Sequence, residues 1–196
     1  MIKKSLLITL LLACLAPWAV NADELTVYEN ETGTNNFVPI YGTYVDASNF
    51  KSEFIIPADQ LESMSYGTIT KMTFYLSTQA SKAWDASFQV YVKEVSDTYV
   101  PTSFIGTTDA TMVFSGVLNG NSSTMEIPFS ASSYTYEGGN LFIGFYITEK
   151  GAYANAAFYG KSSVGTSQNP PARVAYNTTT DYFSPARPPN RSTSST

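Results

Sequence analysis

Apolar residues recur at every second position over much of this chain. In Thr70–Leu76 the apolar set is Met72, Phe74 and Leu76. In Phe88–Lys93 it is Phe88, Val90 and Val92, with Gln89, Tyr91 and Lys93 between them. Asn140–Thr148 places Leu141, Ile143, Phe145 and Ile147 on one side. A period of two marks strands with one face buried and one face wet, the habit of antiparallel sheets. Shorter segments read the same way: Leu25–Tyr28, Val38–Tyr44, Phe50–Ile56, Thr111–Phe114, Thr124–Phe129, Ala156–Tyr159 and Arg173–Tyr176. Turn-forming residues separate them at Glu31–Asn36, Asn119–Asn121, Glu137–Asn140 and Asn169–Pro171. Only Pro57–Met64 reads as helical, with Pro at a first position and acidic residues in the first turns. About ten short strands and at most one short helix, near 57–65, predict an all-β protein, a two-sheet antiparallel β-sandwich.

The two ends differ from the middle. Residues 1–22 read as a signal peptide: Lys3 and Lys4, then an apolar run from Leu6 to Leu15, then Val20-Asn21-Ala22 as a cleavage site. The apolar run is too short to span a bilayer. The expected setting is secreted or cell surface. Leu11-Leu12-Ala13-Cys14 also matches a lipobox, so lipidation at Cys14 is a second reading and the only membrane attachment the chain offers. The residues that follow Cys14 stay apolar, which favours plain cleavage near Ala22. At the other end, residues 184–196 hold no apolar side chain larger than Pro or Ala and are expected to be a disordered tail. The sandwich domain is thus expected to occupy residues 23–183.

Composition narrows the chemistry. The chain has 196 residues, no histidine, one cysteine and a net charge of −5. Without histidine there is no Ser-His-Asp or Cys-His nucleophile and no His-ligated metal. Eleven Lys and Arg against sixteen Asp and Glu make nucleic acid a poor partner, since phosphate contacts need clustered cations. Cys14 lies in the signal segment, so the mature domain has no disulfide and depends on its core.

The middle of the chain carries a resemblance. Its residues are Val27-Tyr28-Glu29, Asn36–Gly42, Ser52–Ala58, Gly67–Leu76, Trp84, Phe88–Val95, Gly138–Leu141 and Ala157–Gly160. This set resembles an N-terminal module of large secreted and surface proteins of gut and oral anaerobic bacteria, often followed by fibronectin-type or adhesin-like sandwiches. The resemblance implies a jelly-roll-like sandwich outside the cell. It implies no catalytic residue.

Candidate chemistry rests on acids and aromatics. Glu53, Asp85, Glu94, Asp97 and Asp109 are the carboxylates from which a glycoside-hydrolysing pair would be drawn. Glu94 falls on the inward register of its strand, but the preferred reading ends the strand at Lys93 and leaves Glu94 at a solvated edge. Glu53 is expected on a solvent face beside Lys51. A structural Ca²⁺ is conceivable among the loop oxygens, but no D-x-D-x-D-G run assigns it. No cofactor is expected. Aromatic rings stack on sugar faces, and Tyr hydroxyls bond sugar hydroxyls. Trp84, Tyr75 and Tyr91 are the ligand-binding candidates, the two tyrosines on outward registers of adjacent strands. The expected function is a non-catalytic module for adhesion or ligand binding, with a glycan or a surface protein as partner. A carbohydrate-active hydrolase and a structural N-terminal domain of a larger surface protein are the alternatives.

Overall fold

A computed structural model of the chain describes residues 24–29, 31–101, 103–160 and 170–176. The expected signal peptide, Cys14 and the tail at 184–196 lie outside the described residues. Among the described residues eleven strands form: β1 (Gly33–Asn35), β2 (Lys51–Ile56), β3 (Thr68–Ile69), β4 (Lys71–Thr78), β5 (Ala86–Val95), β6 (Thr111–Leu118), β7 (Thr124–Pro128), β8 (Tyr134–Thr135), β9 (Asn140–Glu149), β10 (Ala157–Gly160) and β11 (Ala172–Ala175). Every pairing is antiparallel.

The strands sort into a four-stranded sheet, β1-β10-β4-β7, a five-stranded sheet, β11-β2-β9-β5-β6, and a small β3-β8 pair. The pairs β1·β10, β2·β9, β4·β7 and β5·β6 are nested, each enclosing the next along the chain. Successive pairs alternate between the two sheets. That is a jelly-roll order, with β11 added beside β2.

The alternation predicted the buried face well. Phe88, Val90 and Val92 of β5, Leu141, Ile143 and Phe145 of β9, and Phe74 and Leu76 of β4 all enter one core. The sheets meet through aromatic rings: Phe74 of β4 packs edge-on against Phe54 of β2 at 6.2 Å and against Phe145 of β9 at 5.7 Å. Edge-on packing aims positive ring edges at negative ring faces and adds to the area buried.

Local departures from the pattern have local causes. Val38–Tyr44 alternates but forms no strand, because Pro39 has no N–H for a ladder and Gly42–Tyr44 closes into a 3₁₀ turn. Val38 and Ile40 are still buried, so their period reflects the core and not a sheet. Leu25–Tyr28 likewise runs into a turn in which Tyr28 holds a φ of 57°. The expected turn at Glu31–Asn36 contains β1 instead. Asn35 ends that strand by accepting the N–H groups of Phe37 (3.0 Å) and Val38 (2.8 Å) on its side chain. The expected helix at 57–65 is two 3₁₀ turns, Ala58–Gln60 and Glu62–Met64.

Candidate functional site

The outer face of the five-stranded sheet is covered over part of its width; on β6 Val117 stays 55% exposed. The connection between β5 and β6 folds back across β11, β2 and β9. Glu53 on β2 points to this outer face and is fully buried. Its carboxyl group accepts the N–H of Ile105 (2.6 Å) and of Gly106 (3.0 Å), and the hydroxyl of Tyr146 on β9 donates to it as well. Nearby, Arg173 of β11 donates through Nε to the Pro101 carbonyl, and Lys51 sits 4.1 Å over the Phe104 ring. Val100 is buried and bonds Pro170 at 2.9 Å. The expectation that Glu53 lies on a solvent face is therefore corrected. The sequence showed a charged residue beside Lys51; it did not show the chain segment that returns to cover it. Burial pushes the Tyr146 phenol well above its ordinary range, and the Glu53 charge pushes the same way. Burial lowers Arg173 and Lys51, while the Glu53 charge opposes that lowering.

Two of the remaining carboxylates, Glu94 and Asp85, also serve the chain. β5 runs to Val95, so Glu94 is neither past the strand end nor free in solvent. It accepts the N–H of Glu137 (2.5 Å) and of Gly139 (2.6 Å), and so pins the turn before β9. Tyr134, beside it, has its phenol pushed up to about 12, first by burial and then by the Glu94 charge. Asp85 occupies a left-handed turn at φ 51° and pairs reciprocally with Asn119, at 2.8 and 3.2 Å. Glu94, Asp97 and Asp109 line one polar depression with Lys93 and Tyr134. Lys93 reaches from there to the Thr108 carbonyl at 2.8 Å. Among the described residues no three His, Cys, Asp or Glu side chains gather to hold a metal ion.

Trp84 needs a second correction. Its side chain is fully buried, and its Nε1 donates to the Ala154 carbonyl at 2.6 Å. Two glycines make the slot. A Cβ at Gly120 would lie 2.4 Å from the indole, and one at Gly42 would lie 2.7 Å from it. Trp84 is a core plug and presents no face to a ligand.

Tyr75 and Tyr91, expected on adjacent strands, stand on opposite sides of the sandwich, because β4 and β5 belong to different sheets. The chain crosses from one sheet to the other between them, a step that local alternation does not record. Tyr91 is half-buried, bonds Gln89 at 3.0 Å and packs edge-on against Tyr146 at 5.6 Å. It belongs to the covered face.

Tyr75 lies on the bare face. It is 36% exposed, and its neighbour Tyr159 on β10, which the sequence reading did not single out, is 43% exposed. The register Phe158↔Leu76 puts Tyr159 beside Tyr75. Thr34 lies opposite Tyr159, and Thr124 lies opposite Tyr75. The four side chains make one row across all four strands: Thr34, Tyr159, Tyr75, Thr124. Three interstrand steps give that row a length of roughly 14 Å. Thr73 and Glu126 form the next rung, and Lys71 of β4 pairs with Glu126 at 3.2 Å.

Tyr75 also borders a cleft of about 290 Å³. Residues from both faces of β4 line it: Met72 and Phe74 from the core side, Thr73 and Tyr75 from the outer side. Its floor is Ile56, Leu61, Ile69, Leu141 and Ile143, and its outer wall is the segment Glu24–Val27. The cleft is thus bordered both by residues from the space between the sheets and by residues of the bare face.

No protein-family model, curated protein or solved structure matches this chain.

Proposed function

We propose that this is an exported, non-catalytic bacterial module that binds an extracellular glycan on the outer face of its four-stranded sheet. The observation that carries the reading is the row Thr34–Tyr159–Tyr75–Thr124, with two solvent-facing phenol rings side by side on adjacent strands. Flat rings set along a sheet offer stacking surfaces for successive sugar rings, and the flanking hydroxyls and Glu126 offer hydrogen-bond partners. The N-terminal sequence supports export. The resemblance to surface-protein modules of anaerobic bacteria supports an adhesive setting.

Three of the five candidate carboxylates are already engaged within the chain, which favours binding over hydrolysis. Glu53 and Glu94 each spend both oxygens on backbone N–H groups, and Asp85 holds a turn with Asn119. A general acid or nucleophile needs an oxygen aimed at substrate.

A glycan array tests the proposal. The folded domain is expected to retain a subset of glycans, and Tyr75→Thr or Tyr159→Thr to lower that binding by tenfold or more. Binding unaffected by both substitutions, or no glycan retained, would sink it.

A further inference from the structure

We infer that the ligand is an amphiphile, a sugar that carries an alkyl or acyl chain, with the sugar on the tyrosine row and the chain lodged in the cleft beneath Tyr75. The inference rests on the binding face proposed above and adds to it the chemistry of the ligand's other end.

The cleft is unlike a sugar site. Its floor is aliphatic, and five of its residues (Ile56, Leu61, Ile69, Leu141 and Ile143) are each at most 5% exposed. Sugar hydroxyls placed against that floor would lose water and find no partner on it, which costs free energy; the polar residues (Glu24, Thr26, Thr70, Lys71 and Thr73) stand elsewhere in the lining. An alkyl chain would lose nothing by the same move. At about 290 Å³ the space is nearly twice the roughly 150 Å³ apolar cavity that takes up benzene, so it suits a chain of medium length.

The rim decides what the chain is attached to. A free fatty acid needs a cation for its carboxylate. Lys71, at the rim, already pairs with Glu126, and Glu24 stands beside Tyr75 with an oxygen 3.5 Å from its hydroxyl. That mixture of charges suits an uncharged, hydroxyl-bearing head. The row of tyrosines and threonines passes the mouth of the cleft at Tyr75, which belongs to both. Head and chain of a glycolipid or alkyl glycoside would therefore meet the surface in the order the molecule presents them.

The test uses methyl, butyl and octyl β-D-glucopyranoside below micelle formation, followed by amide chemical shifts. Affinity is expected to rise roughly fourfold per added methylene until the cleft is full. Met64→Trp, which fills the cleft from a partly buried wall position, should weaken octyl glucoside at least tenfold and leave methyl glucoside unchanged. Val27→Trp fills the opposite wall, should the first variant fail to fold. Equal affinity for the three glucosides, or octyl binding that survives a folded filling variant, would overturn the inference. Tyr159→Thr separates the two claims. If chain length matters but this substitution changes nothing, the sugar face fails and the apolar cleft stands. If the substitution matters but chain length does not, the face stands and the amphiphile fails.

Discussion

The sandwich has two outer faces built from the same kind of strand, and they have opposite fates. On the five-stranded side, outward positions of β2, β9 and β11 carry Glu53, Tyr146 and Arg173, and a returning chain segment lies over them. On the four-stranded side, the outward positions carry Thr34, Tyr159, Tyr75 and Thr124, and both rings face solvent. The contrast separates two uses of polar chemistry. A buried carboxyl group is tolerated only where donors converge on it, so its place on the covered face marks a structural clamp. An exposed phenol has no such obligation and keeps a ring face open to a ligand.

Substitutions should expose that difference, beginning with the clamp. Glu53→Ala would orphan the Ile105 and Gly106 N–H groups and the Tyr146 hydroxyl together, and should destabilise the domain by about 3–5 kcal/mol in chemical denaturation. Glu53→Gln keeps an acceptor oxygen and should cost less, about 1–3 kcal/mol. If Glu53→Ala unfolded at the wild-type midpoint, the clamp would be dispensable and the two faces energetically alike.

Tyr146→Phe removes one donor from the clamp and should cost about 1 kcal/mol. It also bears on pH. Tyr146 and Tyr134 both have phenols raised in the folded state, so the fold favours their protonated forms. Their contribution is fully present below the ordinary phenol range near pH 10 and is lost as pH rises through the folded values. For Tyr134 the window runs from about 10 to about 12. Thermal melts should be flat into mildly alkaline buffer and then decline, and Tyr146→Phe should make the decline shallower. A decline of unchanged steepness would remove Tyr146 from the account.

The smallest effects on stability belong to the bare face. Tyr75→Thr and Tyr159→Thr keep a β-compatible side chain and should each shift unfolding by no more than about 0.5 kcal/mol, while abolishing stacking. A loss of several kcal/mol from either would show that the rings hold the sheet together and would undercut their reading as a ligand surface.

How far the sequence went follows from the same contrast. The period of two located the core strands because burial on one face writes itself into every second residue. It placed Phe88, Val90, Val92, Leu141, Ile143 and Phe145 correctly. It could not tell which sheet a strand joins, so Tyr75 and Tyr91 were read as neighbours when the chain crosses between sheets after β4. It could not see the segment that covers Glu53, because that contact joins residues 52 and 53 positions apart. Trp84 carried no period, and the signal for its burial was the set of small residues at Gly42 and Gly120, distant in sequence and informative only once folded. Tyr159 was missed for a related reason: its importance comes from standing beside Tyr75, and cross-strand neighbours are set by topology.

Tyrosine nitration in the presence and absence of an array-selected glycan tests the central claim most directly. Tyr66, Tyr75, Tyr153 and Tyr159 are all solvent-facing and should be labelled in the free protein. The account predicts that the glycan protects Tyr75 and Tyr159 and leaves Tyr66 and Tyr153 reactive. Protection of Tyr66 or Tyr153 instead, or undiminished labelling of Tyr75 and Tyr159 with glycan bound, would contradict it.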